Sequence, residues 1–155
     1  MLKSEIKKGN VRGNKQAIKK HVLYTNKEEK NFTLNKINSL YVNKKLNYSY
    51  HVLNKHAISF NDTDVREIIN TGNFNIISYD FLDYDIRTLI RGKKGYTTVN
   101  QKGKEELCNY CIVVSLLKNE IVTIYYNPVD DNHKTINWKL YKGNNINIID
   151  KINTF

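Results

Sequence analysis

A small set of side chains has the chemistry needed to bind or cleave a phosphodiester: His56, Arg87, Thr123 and Tyr125. Histidine exchanges a proton near neutral pH, arginine holds a phosphate through paired N–H groups, and tyrosine can donate a proton or stack on a base. Metal-free cleavage of RNA needs a base for the 2′-hydroxyl, cations for the phosphate and an acid for the leaving oxygen. The chain therefore holds a candidate for each role.

Two arginines four residues apart could hold successive phosphates. Arg87 and Arg91 fall in one strand pattern, and alternation along a strand puts both on one side, roughly 13 Å apart. The alternative is that either arginine pairs with a carboxylate of the preceding segment, at Asp80, Asp83 or Asp85. Both readings remain open at the level of sequence.

Further phosphate candidates precede these strands. Lys55 adjoins His56, and His51 lies one helical turn before Lys55, on a face opposite the apolar stripe of that helix. For His56 the alternative is a helix-terminal histidine that bonds local carbonyl groups. The remaining candidates are lysines of the first third of the chain: Lys19, Lys20, Lys44 and Lys45.

The first third of the chain holds the entire excess of positive charge. Residues 1–55 contain 12 Lys and one Arg against three Glu, whereas the remainder contains 12 basic and 12 acidic residues. Clustered cations favour a polyanionic partner such as RNA, because they neutralise several phosphates together. The alternative is a solvated basic arm, while a membrane-surface helix would require a stronger apolar face than residues 1–20 provide.

No metal or cofactor site is predicted. Cys108 and Cys111 have a C-x-x-C spacing, but they lie at the entry to an apolar strand, where residues three apart point to opposite faces. We therefore interpret them as core thiols rather than metal ligands or a redox pair. The carboxylates of segment 79–85 fit a connection better than a Mg²⁺ site, and glycine patterns typical of phosphate loops are missing from the sequence.

These residues would be positioned by helices followed by strands. Residues 15–22 and 33–44 are weak helix candidates, and 46–57 has a better apolar stripe. Residues 62–71 have cap residues, an apolar face and a terminal Gly72, which together predict a helix. The predicted strands are 74–79, 86–91, 95–99, 110–117, 121–126 and 136–141, with Lys118–Glu120 as a hairpin turn and Trp138 in the core.

The order of these elements predicts an α+β fold, with N-terminal helices packed on one face of a mainly antiparallel sheet and the other face free. At 155 residues, we expect one α+β domain over residues 46–155, preceded by a basic extension, helical or partly disordered, over residues 1–45. The start has no apolar run typical of a signal peptide, and long apolar stretches are missing, so we expect a soluble cytoplasmic protein.

Several segments resemble the BrnT family of ribonuclease toxins. Asn54-Lys55-His56-Ala57-Ile58-Ser59-Phe60 resembles the family's K-H-G-V-S-F signature, which also precedes a helix. Arg87-Thr88-Leu89-Ile90-Arg91-Gly92 resembles its R-F-V-I-I-G strand, and Ile112 to Ile124 resembles its apolar hairpin. The similarity covers roughly residues 50–127 and departs at Ala57, where the family has glycine, and at Tyr125-Tyr126-Asn127, where it has serine-alanine-arginine.

The resemblance implies a fold of the RelE and barnase kind and a metal-independent endoribonuclease of toxin type, with an antitoxin or another protein as partner. A composition rich in Lys, Asn, Ile and Tyr separately indicates an A/T-rich coding origin such as a low-GC bacterium or its phage. His56 would be the base, with Arg87 at the phosphate. The missing arginine favours a different class, a nucleic-acid-binding or protein-inhibiting regulator of phage type that keeps the fold without the chemistry. Retention of Lys55-His56 and Arg87 favours the enzyme, which a neutralising antitoxin partner would support, whereas the binder predicts no toxicity on expression.

Overall fold

The structure is a computed structural model, and it describes residues 17–54, 60–131 and 137–155. The strands are β1 Ile18–His21, β2 Tyr41–Val42, β3 Lys45–Leu46, β4 Phe74–Leu82, β5 Asp85–Gly92, β6 Tyr96–Val99, β7 Glu105–Ser115 and β8 Glu120–Pro128. The helices are α1 Lys27–Asn38, α2 Tyr50–Asn54, α3 Asp62–Thr71 and α4 Ile148–Ile152. Short 3-10 turns occupy Val22–Tyr24 and Trp138–Leu140.

The main sheet is antiparallel throughout, with β1, β4, β5, β7 and β8 side by side. β6 continues the line of β5, because Cys108 of β7 pairs with Tyr96 of β6 on one side and with Pro128 of β8 on the other. β2 and β3 form a separate hairpin whose turn residues, Asn43 and Lys44, have φ of 52° and 62°. Positive φ at both positions is typical of the tight turn that joins paired strands.

The core lies between the sheet and the helices on one face. α1 and α3 bury Ile37, Val65, Ile68 and Ile69 against sheet residues of the same face, which include Ile90, Ile112, Val114 and Ile124. α4 closes a second cluster, in which Ile148 packs with Tyr79, Phe81 and Ile86. The predicted α+β fold, with helices on one face of a mainly antiparallel sheet, is therefore confirmed.

The caps of α3 explain why its bounds agree with the sequence prediction of 62–71. The side chain of Asn61 accepts a hydrogen bond from the Thr63 amide, and Gly72 ends the helix at φ 67°. A residue with positive φ at this position allows the last helical carbonyls to accept hydrogen bonds, and glycine adopts that conformation without steric cost. The strands predicted at 74–79, 86–91, 95–99, 110–117 and 121–126 are also present, with shifted ends.

The N-terminal helix predictions are wrong in detail. Within 15–22 the described residues form β1, since pairing with β4 outweighs the weak local preference. The helix expected at 33–44 begins earlier, at an Asn26–Glu29 capping box, and gives way to the β2–β3 hairpin. Only Tyr50–Asn54 of 46–57 is helical in the described part, and the strand expected at 136–141 is replaced there by a 3-10 turn.

The expected boundary at residue 45 does not separate the described residues 17–45 from the sheet. β1 pairs with β4 inside the main sheet, and Thr33 of α1 shares a buried hydrogen bond with the Tyr79 hydroxyl at 2.7 Å. Residues 17–45 thus contribute to the same core as the strands that follow.

Candidate nucleic-acid interface

The face of the main sheet opposite α1 and α3, called the open face below, carries several of the predicted site residues. Residues paired across neighbouring strands share a face, which fixes this set from the register. Its partly exposed side chains are Lys19 and His21 of β1, Asp80 of β4, Arg87, Leu89 and Arg91 of β5, and Thr123 and Tyr125 of β8. The fold therefore brings Lys19, Arg87, Arg91, Thr123 and Tyr125 to one surface.

Arg87 is held in place by a buried carboxylate. Its Nε donates to Oδ2 of Asp85 at 3.0 Å, and Asp85 is only 2 % exposed. The Ser115 hydroxyl donates to the other carboxylate oxygen, also at 3.0 Å, and the guanidinium lies 5.7 Å from the Tyr84 ring centre. The predicted carboxylate pairing thus occurs, yet Nη1 and Nη2 make no hydrogen bond within the described residues, which leaves a positioned pair of donors.

Lys19 lies on the same face, next to Asp80. Its Nζ contacts Oδ1 of Asp80 at 2.6 Å, and Asp80 is the cross-strand neighbour of Arg87. The row Lys19, Asp80, Arg87 crosses β1, β4 and β5, with side chains about one-third exposed. With Asp85 beneath Arg87, this arrangement holds two cations and two carboxylates rather than an unneutralised positive patch.

Arg91 acts as a structural clamp. Its Nε donates to Asn109 at 3.0 Å, while Nη1 and Nη2 donate to the carbonyls of Asp131 and Pro128 at 2.6 and 2.8 Å. These bonds tie the end of β8 to β5 and β7. Since each of its nitrogens donates to a protein group, Arg91 holds the strands together and is not proposed as a phosphate ligand.

Tyr125 and Thr123 face the same way as Arg91, on β8. Burial, followed by the neighbouring Cys111 thiol, raises the pKa of Tyr125 above its usual range, so its hydroxyl stays a proton donor at neutral pH. Burial also raises the pKa of Cys111 to about 11, which makes that thiol unreactive. Cys108 and Cys111 are buried, free and on opposite faces of β7, in agreement with the interpretation as core thiols.

Simple alternation along β8 would put Ile121 on the side of Thr123 and Tyr125, but a bulge at Val122 shifts the register so that Ile121 pairs with Val114. An extra residue in one strand turns all following side chains over. Ile121 consequently lies in the helix-side core, fully buried.

Lys20 points to the opposite side of β1 from Lys19 and is 2 % exposed. Its Nζ contacts Oε2 of Glu29 at 3.0 Å and donates to the carbonyl of Ile146 at 2.6 Å. A lysine enclosed in this way cannot reach a phosphate at the surface. The structure therefore gives Lys20 a place in the core instead of the surface site expected for it.

The other predicted cations that the structure describes are not gathered on the open face. Lys44 and Lys45 are exposed on the β2–β3 hairpin, where the Lys44 carbonyl accepts from Arg66 of α3 at 3.2 Å, and His51 is exposed on α2. Lys55 and His56 fall in 55–59, outside the described residues, and their roles stay predictions.

The sequence analysis missed an aromatic cluster at the β1 edge of the open face. Trp138 is 65 % exposed, not buried in the core as expected, and its ring stacks on His21 at 5.9 Å and 20°. Tyr141 lies 5.0 Å from Trp138. We call His21, Trp138 and Tyr141 the aromatic platform. Apolar alternation over 136–140 indicated a strand and a core position for Trp138, so the available signal was the pair of lysines nearby, Lys139 and Lys142, both exposed.

His21 has a defined tautomer in this platform. Its Nδ1 accepts a hydrogen bond from the Leu23 amide at 3.1 Å, so the neutral ring carries its proton on Nε2. The open face thereby presents an N–H donor beside stacked rings.

Metal ligands and membrane spans are not apparent in the described ranges. No cluster of three or more His, Cys, Asp or Glu side chains suited to a metal ion occurs there, and none of the described helices has the length and apolar character to cross a membrane. Comparison of the chain with protein-family models, curated proteins and solved structures finds no match.

Proposed function

We propose that this chain binds single-stranded RNA across the open face. The observation that supports the proposal is the aromatic platform, where the exposed Trp138 can stack on an unpaired base; it lies against His21, two residues from Lys19 on the same face of β1. Stacking on protein aromatics requires bases that are not already stacked in a duplex, which favours a single strand. RNA is named because of the resemblance to ribonuclease toxins.

Phosphate contact would come from Arg87 and Lys19. Arg87 is the stronger candidate, since a guanidinium fixed through Nε by buried Asp85 loses little side-chain freedom when Nη1 and Nη2 bind an anion. The basic residues of segment 1–16 directly precede β1 in the sequence and would add a non-specific, salt-dependent attraction.

Metal-independent endoribonuclease activity is a second proposal, favoured by the anchored Arg87. In it the guanidinium neutralises the phosphate while His56 removes the 2′-hydroxyl proton. Thr123 and Tyr125 share the face and would serve as polar contacts or proton donor. An antitoxin or another protein partner, and a toxin–antitoxin role, belong to this second proposal.

Fluorescence anisotropy with a labelled, mixed-sequence RNA of about 15 nucleotides in EDTA would test binding, with a duplex of the same length as competitor. We expect Arg87→Ala to weaken binding about fivefold or more, the loss of one charge-assisted contact. The matched control is Lys102→Ala, which removes an exposed cation in the β6–β7 connection. Absence of binding, or equal losses in both variants, would contradict the proposal.

The same samples on a denaturing gel test cleavage. Fragments that disappear with His56→Ala and Arg87→Ala but persist with Lys102→Ala support the enzyme. RNA that is bound yet remains intact supports the binding proposal and contradicts the proposed endoribonuclease activity.

A further inference from the structure

A cavity of about 530 Å³ opens on the helix-covered side of the sheet, away from the open face. Its wall is formed by the start of α3, by β6, and by Tyr110 and Tyr126 of β7 and β8. Tyr110 and Tyr126 are on the same sheet face as the helices, because they alternate with Cys111 and Tyr125. A volume of this size is in the range of small-ligand sites.

Aromatic rings make up much of this wall. Tyr110 stands edge-on to Tyr96 with ring centres 5.0 Å apart and lies 4.9 Å from Tyr126. The ring faces of tyrosine are electronegative, so a pocket built from them attracts cations.

The cavity also contains a carboxylate that has no cationic partner among the described residues. Asp64 accepts a hydrogen bond from the Tyr110 hydroxyl at 3.1 Å, and no Lys or Arg of the described residues lies within 4 Å of its oxygens. Neighbouring Asp62 differs, since it is paired with Arg66 at 2.7 Å.

The hydroxyl groups in the wall are used unequally. Tyr110 is saturated, because its oxygen accepts from the Asn61 amide at 3.2 Å and from Tyr126 at 3.3 Å. The Tyr96 hydroxyl, by contrast, is buried and makes no hydrogen bond in the described part of the chain. Burial, and then the charges of Asp64 and Glu67, raise the pKa of Tyr96, which agrees with a negative potential in this cavity.

We propose that this cavity binds an organic cation with N–H groups, an alkylguanidinium or alkylammonium, which pairs with Asp64 and lies against the tyrosine rings. Within the described residues Asp64 has no cationic partner, and such a group supplies one through a charge-assisted hydrogen bond; the Tyr96 hydroxyl, which also lacks a partner there, belongs to the same wall. A nucleotide fits less well, since Asp64, which has no cationic partner among the described residues, repels its phosphate. This inference is independent of RNA binding, because it concerns the opposite side of the sheet.

Isothermal titration at low salt with butylguanidinium, and with its neutral isostere butylurea, tests the proposal on the full chain. We expect saturable binding of butylguanidinium and at least tenfold weaker binding of butylurea, the effect of removing one charge-assisted hydrogen bond. Equal affinity for the two probes would overturn the proposal, as would the absence of binding by butylguanidinium.

Variants locate the site. Asp64→Asn keeps an acceptor for Tyr110 but removes the charge, and should weaken butylguanidinium binding about tenfold, whereas Asp83→Asn, in the exposed β4–β5 turn, should not. Tyr96→Phe should weaken binding while leaving the melting temperature unchanged or higher. A loss confined to Asp64→Asn and Tyr96→Phe supports the site, and equal affinity in all three variants overturns it.

The cation could be a free amine or an arginine side chain of another protein. A capped Gly-Arg-Gly peptide distinguishes them: affinity at least equal to that of butylguanidinium identifies a peptide side chain, and exclusion of the peptide identifies a free small cation.

Discussion

Lys19 and Lys20 are neighbours in β1, yet one lies on the open face and the other in the core. Lys20 is 2 % exposed and is enclosed by Glu29 and the Ile146 carbonyl, whereas the Lys19 side chain is 29 % exposed beside Asp80. Strand alternation puts them on opposite sides of the sheet, where helices cover one face and solvent reaches the other. Identical residue types therefore serve structure on one face and remain available to a ligand on the opposite one.

The largest effect should come from breaking the ion pair between Lys20 and Glu29 on the helix-covered face, called the covered pair below. Lys20→Met leaves the Glu29 carboxylate buried without its partner, and we expect a loss of about 3–5 kcal/mol in the free energy of unfolding. Urea titration followed by circular dichroism measures it. The matched control is Lys19→Met, and comparable losses in the two variants would show that the faces do not differ.

The covered pair should also dominate the stability of the protein in acid. Burial by itself raises the pKa of Glu29, but hydrogen bonds from the Asn26 and Ile148 amides and from Lys20 outweigh it and hold the pKa below its usual value. The resulting stabilisation is complete above the unfolded pKa, about 4.3, and is lost as pH falls through the lower folded value. Thermal melts from pH 6 to about pH 3 should therefore decline less steeply for Glu29→Gln; parallel curves would contradict this.

On the open face, Trp138→Ala should weaken RNA binding by about 1–3 kcal/mol, the contribution of one stacked base. Trp138→Phe should restore part of that affinity, because it keeps a ring for stacking. Stability should change little in either variant, since Trp138 is 65 % exposed. Unchanged affinity in Trp138→Ala would remove the aromatic platform from the binding surface.

The smallest effect on stability is expected for the Lys19–Asp80 pair on the open face. Lys19→Ala should cost less than about 1 kcal/mol, because solvent screens the contact with Asp80. The same variant should reduce the salt dependence of RNA affinity, as one phosphate contact is lost. A large stability loss, measured in the urea titration used for Lys20→Met, would mean that the open face is also structural.

The candidate site could be anticipated only in part. Alternation along one strand correctly put Arg87 and Arg91 on one side of β5, because that inference needs no partner. The sequence did not show which arginine keeps donors for a ligand, because this depends on groups far away in the chain. The carbonyls of Asp131 and Pro128 accept hydrogen bonds from Arg91, whereas Asp85 accepts only from the Nε of Arg87. Trp138 was misassigned because exposure is a property of the folded surface.

The sequence by itself determined the elements whose signals are local. α3 follows from its cap residues and Gly72, and the strands follow from their apolar runs, because both depend on neighbours a few residues away. Tertiary structure decided β1, the bulge at Val122 and the opposite environments of Lys19 and Lys20. Each of these depends on pairing with residues far away in the chain, which only the assembled sheet brings into contact.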